Sequence, residues 1–539
     1  MKKYIILPFV CLLFAALPTF AQGPQLDATT TSQSKSTVDP MRFAETISSR
    51  DLKDHLRILA SDEFEGRETG TVGNDKAAKY ISDQFQRLGL PAIGDDDSYF
   101  QKVGFTWTMW NEVAMSVNNQ SYRHLWDYYS YPVRNAHLPN LETEEVIFLG
   151  YGIDDPAYSD YKRARVKGKV IMIYKDEPTD AEGRSYITGS EELSEWSTNW
   201  EKKLVVAHQK GVKAVLIIES EIQKSLADNR RFLLGPLISM GNIPNPADNY
   251  ANSAYISTKI AKEIMGDRLK KVVKARDRIR KKGKSRRVKL KVKLKITQNK
   301  NERKLEGQNV LGYVEGIDPL LKEELVVVSA HYDHLGKKGD QIYNGADDNG
   351  SGTSTVLELA EAFSQAKAEG SGPRRSVLFM LVTGEEKGLL GSKYYTERPL
   401  FPLENTIANV NVDMVGRVDD KHLSNPNYIY VIGSDRLSTE LHEINESANK
   451  QYTQLELDYT YNDRNDPNRY YYRSDHYNFA EKGIPAIFYF NGTHADYHRT
   501  SDTIEKINFR KMTKVAKLVF HTTWELANRD KRIIVDVEE

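Results

Sequence analysis

The sequence has a single cysteine, no excess of either charge, and no apolar run long enough to cross a bilayer. Because Cys11 is the only cysteine, no disulfide can form within the chain. The 75 basic and 75 acidic residues balance, so the chain has no overall attraction for nucleic acid or for an anionic membrane. A spanning helix needs roughly 20 apolar residues. We therefore expect neither a nucleic-acid partner nor stable membrane insertion.

The amino terminus has the pattern of a cleaved export signal. Lys2 and Lys3 precede a short apolar run, Ile5–Leu17, and small residues then lead to Ala21. This pattern predicts a signal peptide over residues 1–21 and a periplasmic or extracellular mature protein. An uncleaved membrane anchor is disfavoured because the apolar run is short. Residues 22–40 are rich in Ser, Thr and Gln, which predicts a flexible linker.

The composition after the leader is that of a globular protein with a sizeable core, at 40% apolar and 28% charged residues. Apolar residues recur at helical spacing over much of residues 46–90. Residues 130–285 instead contain short strand patterns with short connections. We therefore predict a first part of the main domain over residues 41–129, an inserted compact domain over 130–285, and the second part over 286–539.

A lysine-rich segment follows the predicted insertion. From Val288 to Ile296, apolar residues alternate strictly with Lys, which predicts a strand with one apolar and one charged face. One interpretation is a site for polyanions. We favour an exposed strand whose lysines protect it from aggregation.

Strand and helix patterns alternate after Gln308, which predicts an α/β fold with a mostly parallel central sheet flanked by helices. Four apolar runs here each lead into a polar cluster. Ligands bind beyond the carboxyl ends of strands in such sheets, so we expect these clusters to meet. They are His331 to His334, Thr383 to Glu386, Asp413, and the loop carrying His494, Tyr497 and His498.

Several of these clusters have the chemistry of a metal site. His331 and Asp333 share a face if the strand continues, and Asp333 can either orient His331 or bind metal itself. A glycine-rich stretch with Asp347 and Asp348 contains more carboxylates than a helix cap needs. Glu385 and Glu386 are adjacent carboxylates at a buried strand end, where a cation would relieve their repulsion.

The complete set contains two histidines and three carboxylates as ligands, with one further glutamate. Mixed nitrogen and oxygen ligands suit zinc, and a shared aspartate suits two ions roughly 3.5–4 Å apart. Arg473 to His476 form a further polar cluster, which we expect to support the ligands rather than bind metal.

In order and spacing, these motifs resemble the M28 family of zinc peptidases, which includes aminopeptidases, glutamate carboxypeptidases and the related glutaminyl cyclases. The resemblance extends from about Met41 to the carboxyl terminus, and residues 130–285 resemble a protease-associated (PA) domain. It implies two zinc ions, with Asp348 as the bridge. The implied ligands of one ion are His331 and Asp413, and those of the other are Glu386 and His498.

The resemblance also implies roles around the metals. Glu385 would be the general base, Asp333 would support His331, and Tyr497 would hydrogen-bond the developing oxyanion. The implied activity is removal of single residues from peptides, with the amino terminus as the favoured end.

Three alternatives remain open. A carboxypeptidase needs a cation for the substrate carboxylate, and Arg417, Arg473 and Arg499 lie near the motifs. A cyclase-like enzyme would use one zinc, which the complete ligand set disfavours. A non-catalytic peptide-binding protein would lack a ligand or the base, and none is missing. The sequence gives no indication of the oligomeric state.

Overall fold

The computed structural model describes residues 39–538, apart from Arg231, Phe232, Leu234, Pro236 and residues 242–245. The predicted signal peptide and nearly all of the predicted linker lie outside the described residues. No helix within the described part of the chain combines the length and apolar character needed to cross a membrane.

The helices are given first, in chain order. They are α1 Met41–Ala44, α2 Ser49–Leu59, α3 Val72–Arg87, α4 Glu195–Thr198, α5 Glu201–Gln209, α6 Ile222–Asp228, α7 Pro246–Asn249, α8 Thr258–Met265, α9 Leu269–Lys282, α10 Gly352–Ala368, α11 Leu390–Glu397, α12 Thr439–Ala448, α13 His476–Ala480 and α14 Phe509–Asn528.

The strands follow the same order. They are β1 Phe100–Val117, β2 Gln120–Tyr122, β3 Tyr128–Tyr129, β4 Leu138–Phe148, β5 Val170–Tyr174, β6 Ala214–Glu219, β7 Leu237–Met240, β8 Asn252–Ser257, β9 Val288–Val314, β10 Leu325–His331, β11 Gly336–Lys338, β12 Gln341–Tyr343, β13 Ser376–Val382, β14 Thr406–Val412, β15 Tyr428–Ile432, β16 Glu456–Asp458 and β17 Ala486–Phe490.

The predicted α/β fold is confirmed in the last part of the chain. Strands β13, β10, β14 and β17 lie side by side and run parallel. Their residues are buried on both faces, as expected when helices cover both sides of a parallel sheet. On β13, Met380 packs toward Tyr395 and Phe479 of α11 and α13, while its neighbour Phe379 faces Phe363 of α10.

The long strands β1 and β9 connect the two parts of the molecule. They pair antiparallel from Phe100 opposite Val310 to Val117 opposite Leu294. The end of β1 and the first half of β9 belong to one hydrophobic core with β5, β6, β8 and α8. The bounds predicted for the insertion, residues 130 and 285, fall in the segments that separate β3 from β4 and α9 from β9, and they stay a prediction. The resemblance of the insertion to a PA domain stays a prediction.

The lysine-rich segment is the first half of β9 and forms the predicted strand, with its apolar residues buried and its lysines exposed. It is not a sheet edge, because it pairs with β1 on one side and β4 on the other. Its apolar residues are buried in the core of the inserted part. Its lysines reach glutamates on β4, with Lys295 Nζ 2.8 Å from Glu142 and Lys289 Nζ 3.4 Å from Glu145.

A buried arginine joins the early helical region to the loops of the sheet edge. The Arg67 side chain is fully buried, and its guanidinium donates hydrogen bonds to the backbone carbonyl oxygens of Tyr332 at 2.8 Å, Asn344 at 2.7 Å and Gly345 at 2.9 Å. Burial lowers its pKa to about 10, against the attraction of nearby carboxylates such as Asp348. Arg67 thus fixes the two loops that follow β10 and β12.

Replacing Arg67 by methionine should destabilise the protein by about 3 kcal/mol, because several buried carbonyl groups would lose their donor. Urea unfolding followed by tryptophan fluorescence measures this free energy. Arg57→Met is the matched control, since Arg57 is exposed and pairs with Asp54 on the same helix; it should change stability by less than about 0.5 kcal/mol. Equal stabilities of the two variants would contradict this role for Arg67.

Candidate metal centre

The carboxyl ends of the four parallel strands bring the predicted residues to one edge of the sheet. Strand β10 ends at His331, and β14 is followed directly by Asp413. Glu385 and Glu386 follow β13, and the loop after β17 carries His498. This is the edge at which open α/β sheets bind ligands.

The first donor set consists of His331, Asp348 and Asp413. The Nε2 atom of His331 lies 3.3 Å from Asp413 Oδ1 and 3.4 Å from Asp348 Oδ1. All three residues are buried. Glu385 lies beside this set, with its Oε2 atom 3.9 Å from His331 Nε2.

The second donor set consists of Asp348, Glu386 and His498. The Nε2 atom of His498 lies 3.1 Å from Asp348 Oδ2 and 3.3 Å from Glu386 Oε1. The two oxygens of Asp348 therefore face different sets, as a bridging carboxylate requires. Asp348 and Glu386 are buried, whereas the side chain of His498 is 30% exposed.

Sequence reasoning did not assign a role to His334, which the structure brings to the second donor set. Its Nδ1 atom is 2.9 Å from Glu386 Oε1 and 3.8 Å from Asp348 Oδ2. The sequence shows only that His334 is adjacent to Asp333. Since β10 ends at His331, strand periodicity does not predict the direction of a side chain three residues later.

The adjacent residues Asp347 and Asp348 have different surroundings. The carboxylate of Asp347 turns away from both donor sets and accepts hydrogen bonds from the backbone N–H of Gly416 at 2.7 Å and from Asn491 Nδ2 at 3.1 Å. His494 Nε2 is also 3.1 Å from it. Asp348 is held through its own backbone N–H, which donates to Asp502 Oδ2 at 3.2 Å.

Asp413 is oriented by the polar cluster predicted to support the ligands. Ser474 Oγ donates to Asp413 Oδ2 at 2.8 Å, and Asn411 Nδ2 donates to Ser474 Oγ at 2.8 Å. The other carboxylate oxygen of Asp413 is left facing His331. His476 takes no part in this arrangement, because its ring stacks on Phe488.

Asp333 holds the loop that carries Glu385. Its carboxylate accepts hydrogen bonds from the backbone N–H of Glu385 at 3.1 Å and from Thr69 Oγ1 at 2.8 Å. The predicted support of His331 comes mainly through the backbone, since His331 Nδ1 is 3.0 Å from the Asp333 carbonyl oxygen and 3.8 Å from its carboxylate. The carbonyl can fix the ring tautomer as a carboxylate would.

Tyr497 lies at the entrance to the centre. Its ring stacks on His498 with a centroid distance of 3.9 Å. Burial, together with nearby carboxylates such as Asp348 and Glu386, raises the pKa of Tyr497 far above its ordinary value. The phenol therefore stays protonated and can donate a hydrogen bond. Tyr497 and His498 also line a cavity of about 450 Å³ with Arg499 and Tyr343.

The electrostatics of the cluster favour a bound cation. Burial raises the pKa of Glu385 well above its ordinary value, and nearby Glu386 and Asp413 add to this effect. Burial alone would also raise the pKa of Glu386, but His334 and His498 lower this pKa well below its ordinary value. Neighbouring carboxylates of this kind are costly to bury without positive charge.

The donor atoms also fit divalent ions. Two groups of three potential ligands each have their donor atoms within 4.8 Å of one another. One group contains His331, Glu385 and Asp413, and the other contains His334, Asp348 and Glu386. Imidazole nitrogen combined with carboxylate oxygen is a donor set that zinc accepts. All five predicted ligands are thus brought together in positions that suit a pair of ions sharing Asp348.

Comparison with known proteins shows what this region is similar to. Residues 309–523 match the model of peptidase family M28. The chain is 32% identical over 221 residues to a probable leucine aminopeptidase of Trichophyton verrucosum, which covers 40% of this chain and 57% of that protein. It is 28% identical over 232 residues to aminopeptidase YwaD of Bacillus subtilis, covering 42% and 46% of the two chains. The chain thus spans about half the length of these curated relatives.

Among solved structures, the chain is similar to an aminopeptidase from Aneurinibacillus sp. strain AM-1. The TM-score is 0.53 with 18% identity, covering 93% of this chain and 99% of that one, which supports the shared fold. The family match covers β10, β13, β14 and β17 and every predicted metal ligand. Over residues 309–523, the chain is thus similar to peptidase family M28.

Proposed function

We propose that this protein is an exported aminopeptidase that holds two zinc ions and removes residues one at a time from the amino termini of peptides. The observation that carries the proposal is the convergence of His331, Asp413, Asp348, Glu386 and His498 at one sheet edge, with Glu385 beside them. The export signal proposed over residues 1–21 rests on the sequence pattern alone.

In this proposal, a bound pair of zinc ions would supply a nucleophilic water at neutral pH and Lewis-acid chemistry for the scissile carbonyl group. His331 and Asp413 would hold one ion, Glu386 and His498 the other, and Asp348 both. Ser474 keeps the second oxygen of Asp413 occupied, so that only one oxygen faces the centre.

Glu385 is the proposed general base. It would accept a proton from the attacking water and deliver it to the leaving amine. Its backbone N–H is anchored to the buried Asp333, which limits the movement of the loop. The side chain of Glu385 is 12% exposed, while those of Asp348 and Glu386 are 5% and 3% exposed. Glu385 therefore remains accessible to water and substrate.

Tyr497 is proposed to stabilise the oxyanion that forms as the carbonyl carbon becomes tetrahedral. Its raised pKa keeps the hydroxyl protonated, and a donor aimed at a developing negative charge lowers the barrier. The cavity of about 450 Å³ next to Tyr497 and His498 offers space for the substrate. Buried carboxylates on the inner side would attract the free α-amine of a peptide.

A carboxypeptidase is the second candidate, because an arginine lines the same cavity. Arg417 is already engaged, with its guanidinium 2.9 Å from Asp496. Arg499, by contrast, lines the cavity beside His498 and would be able to bind a substrate carboxylate. The aminopeptidase is favoured because the matched relatives of Trichophyton verrucosum and Bacillus subtilis are named as aminopeptidases.

Peptides with blocked ends distinguish these two activities. The zinc-loaded protein should release the amino-terminal residue first from a free peptide and from its carboxyl-terminal amide. An amino-terminally acetylated peptide should not be cleaved, because its neutral amide has no charge for the carboxylates to attract. Mass spectrometry of the first product is the measurement. Release of the carboxyl-terminal residue first would instead support the carboxypeptidase.

Glu385→Gln should lower kcat by about 10²–10⁴-fold, the usual contribution of general acid–base catalysis. The amide is nearly isosteric but cannot accept the proton, so the zinc content should not change. Steady-state kinetics and metal analysis of the same sample test both statements. Glu397→Gln is the control, since Glu397 lies on the same chain segment but pairs with Lys393 away from the centre. Activity of Glu385→Gln within threefold of the parent protein would refute the assignment.

A further inference from the structure

We propose that His334 is a fourth protein ligand in the second donor set, so that the two ions are held unequally. The inference rests on the proposed function, because it assumes that the centre binds a pair of divalent ions. It concerns a residue to which neither the sequence analysis nor the proposed mechanism assigns a role.

The first argument is that His334 and His498 face the same two oxygen atoms. His334 Nδ1 is 2.9 Å from Glu386 Oε1 and 3.8 Å from Asp348 Oδ2. His498 Nε2 is 3.3 Å and 3.1 Å from those atoms. Zinc–ligand bonds of about 2.0–2.1 Å in tetrahedral geometry place ligand atoms roughly 3.3 Å apart. The observed distances scatter around that value.

The second argument is that His334 is fully buried without an aligned hydrogen bond to any described residue. Its ring is 0% exposed, and neither ring nitrogen has a partner in suitable geometry. Its contact with Glu386 has the distance of a hydrogen bond but not the alignment. Burying an imidazole without an aligned hydrogen bond is unfavourable. A cation between His334 and the carboxylates removes that cost.

The third argument is that the protein backbone fixes the ring in place. Gly345 lies against His334 with a positive φ of 53°, and a Cβ atom there would lie 2.5 Å from His334 Cδ2. Glycine is therefore required both for the backbone conformation and for the space that the ring occupies. Gly345 also begins the loop that carries Asp348, so the loop and the ring pack together.

The consequence is an asymmetric centre. The second donor set would have four protein donors: His334, Asp348, Glu386 and His498. The first set has three, with Glu385 beside them. Zinc sites closed by four protein ligands are typically structural, whereas sites with three keep a position for water or substrate. We infer that the second ion is bound more tightly, and that the open coordination position lies at the first set, next to the general base.

Metal titration of the apoprotein tests this inference. Calorimetry with zinc should give a tight and a weaker phase for the parent protein. In His334→Asn the zinc affinity of the tight phase should fall by about 100-fold. This decrease is comparable with or greater than the decrease caused by removing a group that supports a ligand. The weaker phase should change by less than about threefold, because the first set does not contain His334.

His422→Asn is the matched control. His422 is a buried imidazole between two carboxylates, with Nδ1 2.7 Å from Asp419 Oδ1 and Nε2 3.3 Å from Asp458 Oδ2. It lies outside both donor sets. Its replacement should lower the melting temperature and leave both binding phases unchanged.

X-ray absorption at the zinc edge of the parent protein gives a second, independent reading if His334→Asn does not fold. Three imidazoles shared by two ions support the inference, and two imidazoles overturn it. An unchanged tight phase in His334→Asn also overturns it, while the proposed function stands. A parent protein that binds no zinc would contradict the proposed function itself.

Discussion

Repulsion among buried carboxylates is the constraint on which the rest of this structure depends. Asp348, Glu385 and Asp413 all lie within 4 Å of one imidazole nitrogen of His331, and Glu386 follows Glu385 directly. Removing such charges from water costs several kcal/mol per ion unless positive charge compensates. The cluster is therefore suited to bind divalent cations, and the peptidase proposal rests on that chemistry.

Hydrogen bonds with surrounding groups keep the carboxylates in place. Ser474 orients Asp413, the carboxylate of Asp333 anchors the backbone of Glu385, and Asp502 accepts from the backbone N–H of Asp348. Arg67 holds the neighbouring loops through their carbonyl oxygens. Hydrogen bonds in the surrounding loops thus offset the free-energy cost of bringing the carboxylates together. They also hold the donor atoms at the sheet edge in positions that suit metal ions.

The sequence was sufficient to predict the parallel sheet and its five candidate ligands. Each ligand lies close to the end of an apolar run, or in a loop too rich in Asp and Gly for a simple cap, and strand order brings such positions together. The sequence was not sufficient to predict the position of the His334 side chain, because its direction depends on packing against Gly345 in another loop. The sequence also did not predict the ion pairs between the β9 lysines and the β4 glutamates, because the two strands lie far apart in sequence.

Anomalous diffraction at the zinc edge from crystals of the zinc-loaded protein tests the central claim most directly. The account predicts two peaks about 3.5–4 Å apart, one next to His331 and Asp413 and the other next to Glu386, with Asp348 between them. A single peak, or no peak among these side chains, would contradict it.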